Sequence, residues 1–365
     1  MGAEIRPSSA LLRATIVAAL AISTLACRPD TPVAEFDHAG FDVADVPLQT
    51  LAAGEAFGIP WQVRVLNDST LVVADFQSPH LHVVERATGR VLASFGRAGR
   101  GPGEYISQPE VAVTSSRQYP VVAWSQDLAR ITLVSLDRSS SRPDSTISVL
   151  ISGSTRNPIA LADTALLLSR ATDTTAIAAV NLRLGTWTLS GKPMAYIPSD
   201  SLTPFARTAL PGELTMCAND ERTLLFRASR IAGRAEITDI TATRVDTLEV
   251  PYAFEPFYEW DPEYGGYVAQ WTRAQRKGYV DCATDGEYIF ALFSGRRNGS
   301  FSNAYERLLA HYVHVFRWDG TLVKVLRLSQ PAFSIAFDAK SNTLYAAIWD
   351  PDPAIVVAEL NALIP

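Results

Sequence analysis

A cycle of four short apolar runs is spelled out in full between residues 61 and 95, and the chain then keeps returning to it. WQVRVL (61–66), LVVADF (71–76), LHVVE (81–85) and VLASF (91–95) are rich in β-branched residues, and NDS (67–69) and ATG (87–89) punctuate them as turns. Such a unit reads as a four-stranded antiparallel meander. Its inner strand recurs near Trp61, Pro109, Pro158, Glu213, Tyr279 and Phe333, at intervals of 48, 49, 55, 66 and 54 residues. A period of this size marks an array of like sheets, each needing its neighbours to bury its faces.

The last unit constrains the array further. It offers FSIAF (333–337), LYAAI (344–348) and IVVAEL (355–360), and then runs one strand short. The run VPLQTL (46–51), which has no unit of its own, supplies the missing strand. Residues 46–51 laid on 355–360 close the array into a ring and leave only short edges. The sequence therefore predicts an all-β fold: a six-bladed β-propeller over residues 46–365, closed by an N-terminal strand that completes the last blade. The outer strands of the third and fourth units are the least regular, which keeps a seven-blade count as the alternative.

FGRAGRGPGEY (95–105) packs four glycines and two arginines into eleven residues, in the manner of a phosphate cradle. A dinucleotide fingerprint needs G-x-G-x-x-G between a strand and a helix, whereas Gly101 and Gly103 are followed by Glu, Tyr and Ile, with no helix signal. The stretch reads instead as the joint that carries the chain from an outer strand to the next inner one. Glycine permits the positive φ that such a crossing needs, and Pro102 stiffens it. GTWTLSGK (185–192) fails as a P-loop in the same way, with five residues between its glycines and Pro193 after the lysine. Phe95, Gly96, Gly99, Gly101, Gly103, Glu104, Tyr105 and Pro109 together resemble the junction of NHL-type repeats. The chain resembles still more the bacterial six-bladed propeller lipoproteins related to them, of the TolB-like superfamily. The resemblance implies the architecture and brings no catalytic residue set with it.

The N-terminus carries Arg13 and then a thirteen-residue apolar run, 14–26, the length of a signal-peptide core and short for a membrane span. Leu25, Ala26 and Cys27 resemble a bacterial lipoprotein processing box, although Thr24 stands where that box carries Leu. The resemblance implies a signal peptide over 1–26, cleavage before Cys27 and lipid on it, giving an exported chain anchored to a membrane of the cell envelope. Residues 27–45, with Pro29 and Pro32, read as a flexible tether. The formal net charge of −6 argues against nucleic acid as a partner.

Cys217 and Cys282 align across two units, MCANDERTLLF (216–226) over DCATDGEYIFA (281–291). Equivalent positions in adjacent blades of a six-fold ring are as far apart as each is from the axis. A disulfide needs Cα atoms within about 7 Å, which only residues crowding the channel achieve, so two small buried thiols are the favoured reading and a bridge the alternative. His80 and His82 share one strand and His311 and His314 lie near another, in the first and fifth units, which a six-blade ring does not make neighbours; no zinc site is expected. No cofactor is expected either, with calcium among Asp75, Asp220, Asp285 and Asp338 as a minor alternative.

Connections between blades share one face with the loops joining second to third strands. These are long here (96–108, 191–212, 252–278, 294–309), while the turns of the opposite face are short. The long segments hold aromatic and arginine side chains, the types that dominate recognition surfaces: Trp260, Tyr264, Tyr267, Trp271 and Arg273 in the third, Arg296 and Arg297 in the fourth, and Phe205 and Arg207 in the second. Residues 266–277 are expected to form a short helix with Tyr267 and Trp271 on one side. These observations predict a binding or interaction module that takes a protein, peptide or small-molecule ligand on its loop-rich face, with the membrane engaged through the lipid anchor. Packing of those rings against the rim is the competing account. The resemblance keeps a second class open, since some six-bladed propellers are metal-dependent lactonases or lyases with ligands converging on the channel; a purely structural envelope protein is a third.

Overall fold

The computed structural model describes residues 38, 40–53, 56–136, 145–151, 154–171, 175, 177–191, 194, 214–241, 243–256, 258–262, 266–269, 272–301, 303, 305–361 and 363–364. Nearly all of the regular structure among them is β.

Six antiparallel sheets of four strands follow one another along the chain. Blade one consists of Pro60–Val65, Thr70–Asp75, Leu81–Glu85 and Val91–Phe95, and blade two of Glu110–Val113, Val121–Ser125, Arg130–Val134 and Ser145–Ser148. Blade three consists of Ser154–Ala162, Ala165–Ala171, Ile177–Asn181 and Thr186–Ser190, and blade four of Leu214–Ala218, Leu224–Ser229, Ala235–Asp239 and Val245–Thr247. Blade five uses Tyr279–Thr284, Tyr288–Phe293, Ala310–Arg317 and the first half of the long strand Leu322–Asp338. The second half of that strand becomes the inner strand of blade six, followed by Thr343–Ile348 and Ala354–Glu359. Each inner strand touches the inner strand of the next blade, and the last touches the first.

The apolar runs are nearly continuous because both faces of each blade are buried. Successive residues of one strand point into opposite interfaces: Leu71 and Val73 pack with Ala336, Ala347 and Ile355 of blade six, while Val72 and Ala74 pack with Val111, Val121 and Ala123 of blade two. The same division repeats at every junction, so the core is six interblade layers in place of one central mass. The turns are held by side chains. Asn67 Oδ1 accepts from the amides of Ser69 and Thr70, Asn219 Oδ1 from those of Thr223 and Leu224, and Asp285 Oδ1 from those of Glu287 and Tyr288.

The ring closes as expected, with a shifted register. Gln49–Ala53 pairs antiparallel with Ala354–Glu359, setting Gln49 opposite Val357 and Ala53 opposite Ala354. Gly89, at φ +71°, lies under this strand: a Cβ there would come within 1.9 Å of the Leu51 carbonyl oxygen. The residues just before have another use. Val43–Val46 lies parallel to the outer strand of blade five, Val43 opposite Val325 through Val46 opposite Leu328, and gives that blade a fifth strand. Pairing thus begins at Val43, three residues before the boundary expected from the sequence.

Two further expectations change. The described residues of 266–277 contain no helix; Gly266–Ala269 is a strand paired with Tyr258–Asp261 in a hairpin, Trp260 opposite Tyr267. Cys217 and Cys282 form a disulfide with Cα atoms 6.1 Å apart, because both inner strands crowd the axis closely enough to meet the bridging limit.

Candidate binding face

Polar residues at matching places on the inner strands tie the ring together. Gln62 Oε1 accepts from the Val111 amide at 2.7 Å, and Glu110 accepts from the Asn157 amide. The Asn157 side-chain amide donates to the Leu214 carbonyl, and Thr215 Oγ1 donates to the Tyr279 carbonyl at 3.2 Å. Asp281 Oδ2 accepts from the Ile335 amide at 3.0 Å, and Ser334 Oγ accepts from the Val63 amide at 3.2 Å. Each blade therefore grips the next, and the sixth grips the first. Asn157 reaches its place from a positive φ of 52°, next to a register shift between Arg156 and Ile159, in an inner strand that starts at Ser154, earlier than expected.

Arg64 crosses the channel from blade one to blade five. Its guanidinium makes two parallel 2.9 Å hydrogen bonds to Asp281 and also donates to Ser334 Oγ and the Ile335 carbonyl. This pair separates the two ends of the channel. On the short-turn side a pocket of about 230 Å³ is walled by Val65, Val113, Ile159, Met216, Phe337 and the Cys217–Cys282 disulfide, with Arg222 at its rim. On the loop-rich side about 20 Å³ remains, room for about one water, between Gln62, Glu110, Asn157 and Asp281 below and Trp61, Leu308 and Phe333 above. An aromatic plug fills that mouth. Phe76 lies 5.7 Å from Trp61, 5.3 Å from Tyr305 and 6.2 Å from Phe333, and Tyr305 lies 5.7 Å from Trp349.

The two insertions around blade five form one body on this face. Lys277 donates its amide to Arg296 O, Asn298 to Gln275 O and Gly299 to Arg273 O, and Gln275 anchors the pair by donating from its side chain to Ile231 O at 2.7 Å. Tyr252 and Phe254 pack inward against Phe293, the rim-packing role. Trp260 instead stands 59 % exposed on the hairpin. Arg273 and Arg297 are exposed, and the Arg296 guanidinium lies 4.7 Å over the Phe301 ring. Burial, reinforced by the charge of Arg297, pulls the Arg276 guanidinium below its ordinary pKa, so cationic groups are crowded here. Tyr267 is placed by its strand, opposite Trp260. Tyr264, Trp271, Phe205, Arg207 and Cys27 lie outside the described residues.

The glycine-rich stretch is a joint. Arg97–Ala98 pairs parallel with Glu104–Tyr105, and the Glu104 carboxylate takes the Arg97 guanidinium at 2.6 Å and the Gly101 amide at 2.7 Å, which lowers its pKa. Buried Arg130 donates to the carbonyls of Arg100 and Glu104. The loop is thus organised around its own carboxylate. Three of the four carboxylates considered for calcium serve the fold: Asp75 accepts from the Gly58, Ile59 and Gln77 amides, Asp285 caps its turn, and Asp338 holds Arg86 and Ser341. Among the described residues no group of three or more His, Cys, Asp or Glu is placed to hold a metal ion.

A closed ring of six four-stranded blades, gripping one another around a plugged channel, defines a six-bladed β-propeller. The family described as TolB-like 6-blade propeller-like matches residues 43–340, and the chain belongs to that family. Comparison with curated proteins finds no match. Among solved structures, the chain is similar to a member of the DUF4221 family from Bacteroides vulgatus, at 10 % identity and TM-score 0.53, covering 85 % of this chain and 97 % of that one. It is also similar to U3-55K, at 11 % identity and TM-score 0.52, with 86 % and 98 % covered. A third likeness is the β-propeller domain of Cps50 (Swd1) from Myceliophteria thermophila, at 11 % identity and TM-score 0.50, with 86 % and 99 % covered. At these identities the likenesses speak for the fold alone.

Proposed function

We propose that this propeller is an exported, lipid-anchored binding module of the bacterial cell envelope that takes a protein, peptide or small-molecule partner on its loop-rich face. The observation that carries this reading is Trp260, a large aromatic left mostly in solvent on a hairpin within the insertion 252–278, which is fastened to the insertion 294–309 on the face where the channel is plugged. A rigid platform that presents an aromatic side chain and arginines loses little conformational freedom on binding, which favours affinity. The Cys217–Cys282 bridge supports export, since structural disulfides persist in oxidising compartments. The leader-like run 14–26 and Cys27 support anchoring, and the single glycine-rich joint supports kinship with the NHL-like envelope lipoproteins.

The enzyme reading is not favoured. A channel carboxylate acting as base or ligand needs an open lone pair and access, whereas Asp281 is committed to Arg64, Ser334 and the Ile335 amide and Glu110 to blade three, beneath an aromatic plug. The test is affinity capture from envelope extract with the wild type and with Trp260→Ala/Arg297→Ala. Partners retained by the wild type and lost by the double variant support the reading. Identical capture by a variant of unchanged melting temperature overturns the assigned face, and fractionation of Cys27→Ser into the soluble fraction checks the anchor.

A further inference from the structure

The short-turn mouth of the channel holds two arginines with donors to spare. Arg64 lines the pocket of about 230 Å³ there, not the small cavity on the loop-rich side. A guanidinium has five N–H donors in a planar fork. Asp281 takes the end of this one through Nη1 and Nη2, and Nη1 also reaches Ser334 Oγ and the carbonyls of Val63 and Ile335. The Nε–H and the outer hydrogen of Nη2 form the side of the fork, a second parallel pair of donors. Neither meets an acceptor among the described residues, and the side chain stays 24 % exposed.

Arg222 borders the same pocket from the turn that follows the inner strand of blade four. That turn is fixed: the Arg222 amide donates to the Asn219 carbonyl at 2.9 Å, and Asn219 Oδ1 accepts from the amides of Thr223 and Leu224. Arg222 holds φ +57°, a left-handed conformation that glycine or asparagine adopts at less cost. Among the described residues its guanidinium has no hydrogen bond or ion pair. Asp220 and Glu221 beside it, and Asp285 on the turn of the next blade, lie outside the pocket lining. Two arginines against the committed carboxylate of Asp281 therefore leave one positive charge over.

We propose that this mouth is a binding site for a small aliphatic monocarboxylate, which seats its carboxylate on Nε and Nη2 of Arg64 and lays its chain along Ile159, Met216 and Phe337, with Arg222 at the rim. A carboxylate fits the side of the fork in the same two-bond geometry that Asp281 uses at its end. One negative charge balances the site, whereas a dianion would be repelled by Asp281 at close range. The volume equals about eight groups the size of a water molecule, which suits hexanoate. Apolar walls with a few placed polar groups are the usual form of a small-molecule site. The Cys217–Cys282 bridge is part of the wall and ties blade four to blade five beside it, so the pocket is formed before a ligand arrives. Trp260 and the fastened insertions belong to the opposite face, and the two sites stand or fall separately.

The test is titration of the protein with hexanoate, hexylamine and hexan-1-ol, by calorimetry and saturation-transfer NMR. The wild type is expected to bind hexanoate saturably in the millimolar range, at least about tenfold more tightly than the amine or the alcohol. Arg64→Lys keeps a cation on Asp281 but removes the side of the fork, and is expected to weaken hexanoate at least about tenfold. Arg222→Asn suits the positive φ and lies at an exposed position, so the fold is kept while affinity falls about threefold or more. Trp260→Ala/Arg297→Ala is expected to bind hexanoate as the wild type does. Absence of saturable hexanoate binding overturns the site, and so does hexylamine bound equally well. Undiminished binding by both arginine variants, or a loss confined to Trp260→Ala/Arg297→Ala, puts the ligand elsewhere and overturns it too. Should Arg64→Lys fail to fold, the affinity of Arg222→Asn decides alone.

Discussion

Asp281 is 6 % exposed, and its charge is answered by one guanidinium that reaches it from blade one, past the inner strand of blade six. Removing that partner leaves a desolvated carboxylate, and the cost of breaking such a pair exceeds the net worth of the pair itself. Arg64→Met is expected to lower unfolding free energy by about 3 kcal/mol, near the bottom of the usual range because Arg64 is partly solvated. Arg64→Met/Asp281→Leu should recover much of the loss, and urea titration of the four-member cycle measures both. At Gly96, with φ +82°, a Cβ would come within 2.8 Å of the Tyr105 ring, so Gly96→Ala is expected to cost about 1–3 kcal/mol in the same assay. Legibility at this scale was uneven. That the glycine stretch is a joint was readable, because a missing third glycine is a local fact. The polar ring of Gln62, Glu110, Asn157, Thr215, Asp281 and Ser334 left one usable signal, a polar residue at a like place in each inner strand. Arg64 left none, since its partner is 217 positions away.

Elements show why some sequence expectations turned. Residues 266–277 carry aromatics at helical spacing, but Gly266–Ala269 finds a partner strand in Tyr258–Asp261, and pairing overrides a weak local periodicity. The paired strands in turn hold Trp260 out into solvent, which periodicity alone did not indicate. The cysteines were aligned correctly and judged too distant, because the radius of the innermost residues is not written in a repeat length. Their bridge closes 65 residues, including the long insertion between blades four and five. Cys217→Ser/Cys282→Ser is expected to keep the fold and lose about 2–4 kcal/mol, measured by denaturant unfolding with and without reductant. Reductant should then move the wild type towards the variant and leave the variant unmoved.

For the whole molecule, the repeat count and the closing strand were legible because a ring imposes an arithmetic on its sequence: the last sheet lacked a strand and the beginning had one to spare. The exchange of Val43–Val46 to blade five was not legible, since its partner register rests on a blade edge that any short strand fits. The titration of the ring as a whole follows from its buried histidines. Burial holds His82 and His314 below the ordinary value of 6.5, so both resist protonation when folded and accept it when unfolded. Stability is therefore expected to be level above about pH 6.5 and to fall below it by up to about 1.4 kcal/mol per pH unit for each histidine, before Glu236 and Asp285, raised by burial, begin to offset the loss. Melting temperatures between pH 7.5 and 5 check this, and His82→Gln should flatten the slope by about half.

Because Gln49–Ala53 and Ala354–Glu359 are neighbours in one sheet, the polypeptide is a necklace whose clasp sits inside a bead. Where the string is cut then matters little to the ornament. Splicing the old ends through a short linker and opening a new pair of termini at Asn67 and Asp68 would give a circular permutant with the same shape. Anything fused to the carboxyl end would hang beside the arm that enters the ring, on the flank of blades five and six.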